Sequence, residues 1–163
     1  MEHVFWLIDG VLGGRPGPVN APWRPEELHA GAVRSVVSLN REAAGEELVA
    51  AGLVHHAQPL PPILPVTGVL QDVLLHGLEE VLPRVHEEVS AGRATVIHCH
   101  EGKDRTGLAL VAYLVRYEGI EIEEAIARVR AVRPIAMSAP GYEETARRFA
   151  ELERARQRKG VDA

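Results

Sequence analysis

Apolar and polar positions along this chain switch between two spacings, and the switches mark out alternating strands and helices. The run Val4 to Ile8 is short and apolar and reads as a first strand, and the Gly/Pro-rich stretch Gly13 to Pro25 reads as a loop. Pro25-Glu26-Glu27-Leu28 opens a short helix, with proline in the first turn where its missing N–H costs nothing. Val33 to Leu39 reads as a strand, Glu42 to Ala51 as a helix ended by Gly52, and Val54 to Ala57 as a strand before a proline cluster, Pro59 to Pro65. From about Gly68 to Ser90 the spacing becomes helical, with Val73, Leu74, Leu78, Val81, Leu82, Val85 and Val89 on one face. Pro83 interrupts this stretch and is expected to kink or divide it. Ala94 to Ile97 is a buried strand and Leu108 to Val115 a buried helix. Glu121 to Val132 follows, with Ile122, Ile126 and Val129 on one face, and then a last helix from about Pro140 to Lys159. This alternation predicts an α/β fold, a single domain over residues 1–163 with its core at about 4–152 and a helical tail to about 159. Its central sheet is expected to be mostly parallel and covered by helices on both faces. In such folds the chemistry sits at the carboxyl ends of the strands.

That position is occupied by His98-Cys99-His100-Glu101-Gly102-Lys103-Asp104-Arg105-Thr106-Gly107. A strand running through a tight turn into a helix lets successive backbone N–H groups, from His100 to Arg105, point into one concavity, and the helix adds its positive end. Such a concavity binds anions. Gly102 permits the curl, and the planar fork of Arg105 fits two phosphate oxygens at once. Glu101, Lys103 and Asp104 complete the candidate phosphate loop. A cysteine in that field is favoured as a thiolate, hence as a nucleophile. Thr106 can donate its hydroxyl to the sulfur, and His98 can hold the loop by hydrogen bonds to backbone groups. His-Cys-x-x-Gly-x-x-Arg-Thr-Gly fixes six positions; at a background of about 5% each it arises about once in 10⁷ to 10⁸ starting points. A cysteine that is merely buried at a strand end does not explain it.

On these residues the chain resembles the cysteine-dependent protein tyrosine phosphatase superfamily, and in size its small atypical dual-specificity members. Phe5 to Gly14 resembles their amino-terminal strand pair, Gly31 to Leu39 their next strand, and Arg130-Ala131-Val132-Arg133-Pro134 the Arg-Pro that closes their penultimate helix. The resemblance implies hydrolysis of phosphate monoesters in two steps, with a phosphocysteine on Cys99. It also implies an acid for the leaving oxygen, carried in the relatives as an Asp in a mobile loop after the preceding strand. Here that stretch, His55 to Ile63, has no carboxylate. Asp104 is the favoured substitute, since myotubularin-type lipid phosphatases similarly place an aspartate before the loop arginine. Asp72, twenty-seven positions before Cys99, is the second candidate, and His55 or His56 the third. Glu144 stands where relatives often carry a water-positioning glutamine, but reads first as a solvated helix charge.

Composition narrows the reading. The 163 residues are 46% hydrophobic, enough for one core. A net charge of −5 argues against a nucleic-acid partner. One cysteine excludes an internal disulfide. No apolar run approaches the length of a membrane span, and Met1-Glu2-His3 lacks the basic start of a signal peptide. The expectation is a cytoplasmic monomer without cofactor or metal, acting on a phosphorylated protein or small phosphate ester. His98 and His100 should point away from Cys99, and the histidines lack paired-ligand spacing for a metal. Two alternatives stay open. Lys103 resembles the loop lysine of phosphatases acting on phosphoinositides or inositol phosphates, although Glu101 would repel polyanions. A catalytically weak phosphate-binding module would keep the loop without the acid. An exposed thiolate with no second cysteine should be sensitive to peroxide.

Overall fold

A computed structural model describes residues 2–162. The sheet has five strands, β1 (Phe5–Ile8), β2 (Leu12–Arg15), β3 (Ser35–Ser38), β4 (Val54–Ala57) and β5 (Thr95–His98), in the order β1-β2-β5-β3-β4. β2, β5, β3 and β4 run parallel, and β1 is antiparallel to β2 through the turn at Asp9-Gly10. The sheet is therefore mixed at one edge, because a short turn can join only antiparallel neighbours. Six helices cover it: α1 (Pro25–Ala30), α2 (Gly45–Ala50), α3 (Val69–Ser90), α4 (Asp104–Tyr117), α5 (Ile122–Val132) and α6 (Tyr142–Asp162).

The period-2 alternation of the strands divides the apolar side chains between the two faces. Val37 and Ile97 pack with α3, α4, α5 and α6 in the larger cluster, while Val36 and Val96 pack with Leu28, Leu48 and Leu53 under α1 and α2. Helix α4 lies within the larger cluster, and every residue from Thr106 to Val115 is buried.

Several features differ from the sequence expectation. Gly13 to Arg15 belong to β2, not to a loop, because Gly13 and Gly14 let β1 pass at contact distance; a Cβ on Gly13 would fall 2.3 Å from the Phe5 carbonyl oxygen. Helix α2 starts at Gly45, since Glu42 turns toward the loop after β5. Pro83 does not divide α3. It sits on the exposed side, while Leu78, Val81, Leu82 and Val85 on either side of it are buried; core packing outweighs one lost backbone bond. The apolar face of α3 takes Leu75, which is buried, where Val73 was expected, and Val73 is exposed. Glu88 is also buried there, bonded to Arg93 and to His56, and the Arg93 hydrogen bond is the main cause that brings its carboxyl down to about 2.

Candidate active site

The segment Cys99 to Lys103 joins the end of β5, the central strand, to the start of α4. Its backbone is held from outside at every carbonyl. The Cys99 oxygen accepts from His98 Nδ1 (3.2 Å), the His100 oxygen from Gly17 N–H (2.9 Å), and the Glu101 and Gly102 oxygens from the Arg133 guanidinium (2.6 and 3.2 Å). The Lys103 oxygen accepts from Met137 N–H (3.0 Å) and, in the first turn of α4, from Gly107 N–H. Among the described residues the N–H groups of His100, Glu101, Gly102 and Lys103 donate to no protein group. With the carbonyls fixed outward, these donors and the free N–H groups that open α4 remain for an anion.

Close packing fixes the curl. Gly102 has φ +64°, and a Cβ there would fall 2.5 Å from the carbonyl carbon and oxygen of Arg15. Gly17 likewise admits the loop, since its Cβ would fall 2.5 Å from the Cys99 oxygen. Arg15 is itself buried, stacked on Trp23 at 4.9 Å and bonded to the Ala21 oxygen.

Cys99 is only 3% exposed, yet it lines a cavity of about 290 Å³ together with the loop residues His100, Glu101, Lys103, Asp104 and Arg105, the segment 62–64, Ala139 and Tyr142. The Thr106 hydroxyl donates to Sγ at 3.1 Å; Gly14 allows this, because a Cβ there would meet the Thr106 methyl at 2.9 Å. Arg105 Nη1 donates to the Leu60 and Leu39 oxygens, which anchors one arm of the fork.

His98 is wholly buried. Burial brings its imidazole down to about 4, so the ring is neutral at ordinary pH. Because Nδ1 donates to the Cys99 oxygen, Nε2 must accept, and its partner is the Ser38 hydroxyl at 2.6 Å. Ser38 in turn accepts from His55 Nε2 at 2.8 Å. A directed chain of donors thus runs from β4 through β3 to the loop.

The two carboxylates lining the cavity are Glu101 and Asp104. Asp104 Oδ1 accepts from Ala139 N–H (3.0 Å) and Oδ2 from Lys103 Nζ (2.6 Å); the same ammonium lies 3.8 Å from Glu101 and 3.2 Å from the Ser138 hydroxyl. Asp72 is exposed in the first turn of α3 and is not among the residues lining the cavity, and Glu144 is exposed on α6, also outside it. His55 is engaged with Ser38 and His56 with Glu88, away from the cavity wall. His100, at the rim, is bonded through Nδ1 to Glu42. Tyr142 closes the opposite side; its hydroxyl donates to the Ile63 oxygen (2.8 Å), and burial pushes it up to about 12. Among the described residues no cluster of three or more His, Cys, Asp or Glu forms a metal site, and no helix is long and apolar enough to cross a membrane.

Sequence reasoning missed several of these parts. Arg133 was visible only as part of an Arg-Pro at a helix end, and Gly17 as one glycine in a loop. Ser38, Glu42 and Tyr142 carried no local signal.

Comparison with known proteins agrees with this geometry. Residues 64–151, more than half of the chain, match the dual specificity phosphatase catalytic domain, and the chain belongs to that family. It is 28% identical over 126 residues to human dual specificity phosphatase 28, covering 77% of this chain and 67% of that one. A shorter match, 25% over 69 residues, covers 42% of this chain and 30% of the phosphatidylglycerophosphate phosphatase PTPMT2 of Arabidopsis thaliana. Among solved structures, Tk-PTP in its active form shares the fold with a TM-score of 0.76 at 24% identity, over 92% of this chain and 97% of that one. The protein is a cysteine-dependent hydrolase of the protein tyrosine and dual-specificity phosphatase type.

Proposed function

We propose that the chain dephosphorylates phosphotyrosine and other phosphorylated residues of proteins, with Cys99 as the nucleophile. The observation that carries this reading is the loop around Cys99, whose carbonyls are all bonded outward while its N–H groups are left unpaired. The phosphoryl group sits among the N–H groups of residues 100–105, with two oxygens on the free N–H groups of Arg105. The Cys99 thiolate attacks phosphorus as the ester oxygen leaves, and a proton passes to that oxygen from Asp104, the aspartate lining the cavity. Water then attacks the phosphocysteine, its proton returns to Asp104, and the thiolate is released with Thr106 as its hydrogen-bond donor. His98 serves as a support that holds the Cys99 carbonyl. The reading includes a monomer at work in the cytoplasm.

A phosphoinositide or inositol phosphate is the second reading. It is supported by Lys103 at the rim and by the likeness to a plant phosphatidylglycerophosphate phosphatase. It is weakened because Asp104 and Glu101 already surround the Lys103 ammonium. The first test is hydrolysis of p-nitrophenyl phosphate as a function of pH by wild type, Cys99→Ser and Asp104→Asn, followed by phosphopeptides against phosphoinositides. Turnover should vanish in Cys99→Ser. Asp104→Asn should lose about 10²- to 10⁴-fold on an alkyl phosphate and far less on p-nitrophenyl phosphate, which needs little acid help. An equal loss on both would remove Asp104 as the acid. Wild type that binds vanadate and turns over nothing would leave a phosphate-recognition module.

A further inference from the structure

The cavity over Cys99 has a neighbour. Arg105 and Pro62 also line a second hollow, of about 480 Å³, between the turn after β3, with Asn40 and Arg41, and the segment 59–62. The two hollows differ in charge. The first has Glu101 and Asp104 on its wall, with Lys103 bound between them. The second has no acidic lining residue and two arginines, Arg105 and Arg41. Arg41 is exposed and takes part in no ion pair among the described residues. The adjacent Glu42 is turned inward to His100 and does not neutralise it. Asn40 Oδ1 accepts from the Glu42 N–H, which leaves its amide N–H groups as donors.

We propose that this hollow is a second anion subsite, which takes the carboxylate or phosphate of a residue next to the phosphorylated one in a protein substrate. The proposal rests on the phosphatase reading above and narrows its substrates to sequences with an acidic or second phosphorylated neighbour. Charge complementarity fixes the direction of approach, because an acidic neighbour is repelled on the Glu101 side and attracted on the Arg41 side. The proline-rich wall from Pro59 to Pro62 supplies a stiff apolar surface along which an extended peptide can lie. An anionic bilayer is a poorer fit, since such surfaces recruit clusters of basic residues and this chain carries a net charge of −5.

The test is binding of fluorescent phosphotyrosyl peptides to Cys99→Ser, with and without Arg41→Gln. The peptides share one sequence and carry alanine, glutamate or phosphoserine beside the phosphotyrosine. Binding is measured whether or not the enzyme turns over, so failure of the phosphatase reading is seen separately, in p-nitrophenyl phosphate assays of the enzyme with Cys99 intact. The acidic and doubly phosphorylated peptides should bind about 1.5- to 5-fold tighter than the alanine peptide, the range of an exposed ion pair. That preference should shrink with salt, vanish in Arg41→Gln and reverse in Arg41→Glu. In the Cys99 enzyme both Arg41 variants should hydrolyse p-nitrophenyl phosphate, which has no second anionic group, at the wild-type rate. A preference that survives Arg41→Gln, or an equal loss for all three peptides, overturns the proposal. So does an Arg41-dependent gain for a soluble inositol bisphosphate with none for the peptides.

Discussion

Residues 98–107 and residues 58–68 both line the cavity over Cys99, and they are held in unlike ways. In the first segment His98 and Thr106 have no exposed surface; each carbonyl from His100 to Lys103 has a donor drawn from another part of the chain, and the Cys99 carbonyl is held by the neighbouring His98 ring. The second segment has no helix or strand. It is tied to the rest of the chain by the Gln58 N–H to the Ser38 oxygen, Leu60 N–H to the Leu39 oxygen, Arg105 to the Leu60 oxygen, Val66 N–H to the Pro140 oxygen and the Tyr142 hydroxyl to the Ile63 oxygen, while the carbonyls between have fewer partners and Leu64 is 67% exposed. The loop is held in one shape by its neighbours, the shape that the proposed phosphate receptor needs. The rim has fewer such ties, and it is the rim that lacks the carboxylate expected there from the family resemblance.

The sharpest test of that contrast is Gly102→Ala. The new methyl would meet the Arg15 carbonyl and force φ +64° on an alanine, so we expect a loss of about 1–3 kcal/mol in urea unfolding together with loss of vanadate binding. Next is Arg133→Met, which leaves two loop carbonyls without their donor. The value of kcat/KM for p-nitrophenyl phosphate should fall about 10- to 100-fold, corresponding to about 1–3 kcal/mol for unsatisfied buried groups. Unchanged kinetics would mean that the carbonyls do not need to be held.

A third test uses pH. Burial lowers His98 from 6.5 to about 4 in the folded state, so between these values the unfolded chain binds the extra proton and stability falls as pH falls. Glu88, lowered from 4.5 to about 2 chiefly by its hydrogen bond to Arg93, adds a second loss as pH drops from 4.5 toward 2. Thermal melts should show both windows, and His98→Gln should shrink only the upper one, to which His55, also lowered by burial, contributes. The smallest effect belongs to the rim. Tyr142→Phe breaks the bond to Ile63 and should cost about 0.5–1.5 kcal/mol, with kcat/KM within about threefold of wild type by the same measure. A loss as large as that of Arg133→Met would erase the distinction between loop and rim.

What could be read in advance follows the same division. The strand before Cys99, the buried helix after it and the curl at Gly102 are local, so residue type and order suffice to find them. The donors that turn the carbonyls outward come from Gly17, Arg133 and Met137, remote in sequence, and nothing near those residues announces the contact. Pro83 misled for a related reason: its local cost is real, but the burial of Leu78, Leu82 and Val85 on either side is a tertiary effect. The direction of β1 depended on recognising that Asp9-Gly10 closes a hairpin. The acid was hardest to place, since its candidates lay in three segments, and of these the structure brings Asp104 to the cavity and leaves Asp72 on the exposed face of α3.

The completeness of the loop has a consequence for how the reaction ends. A nest whose donors are already aligned fits free inorganic phosphate as well as it fits the phosphoryl group of a substrate, since both present the same oxygens to the same N–H groups. Inorganic phosphate should therefore compete with substrate for the loop, and adding it to the p-nitrophenyl phosphate assay should raise KM and leave kcat unchanged.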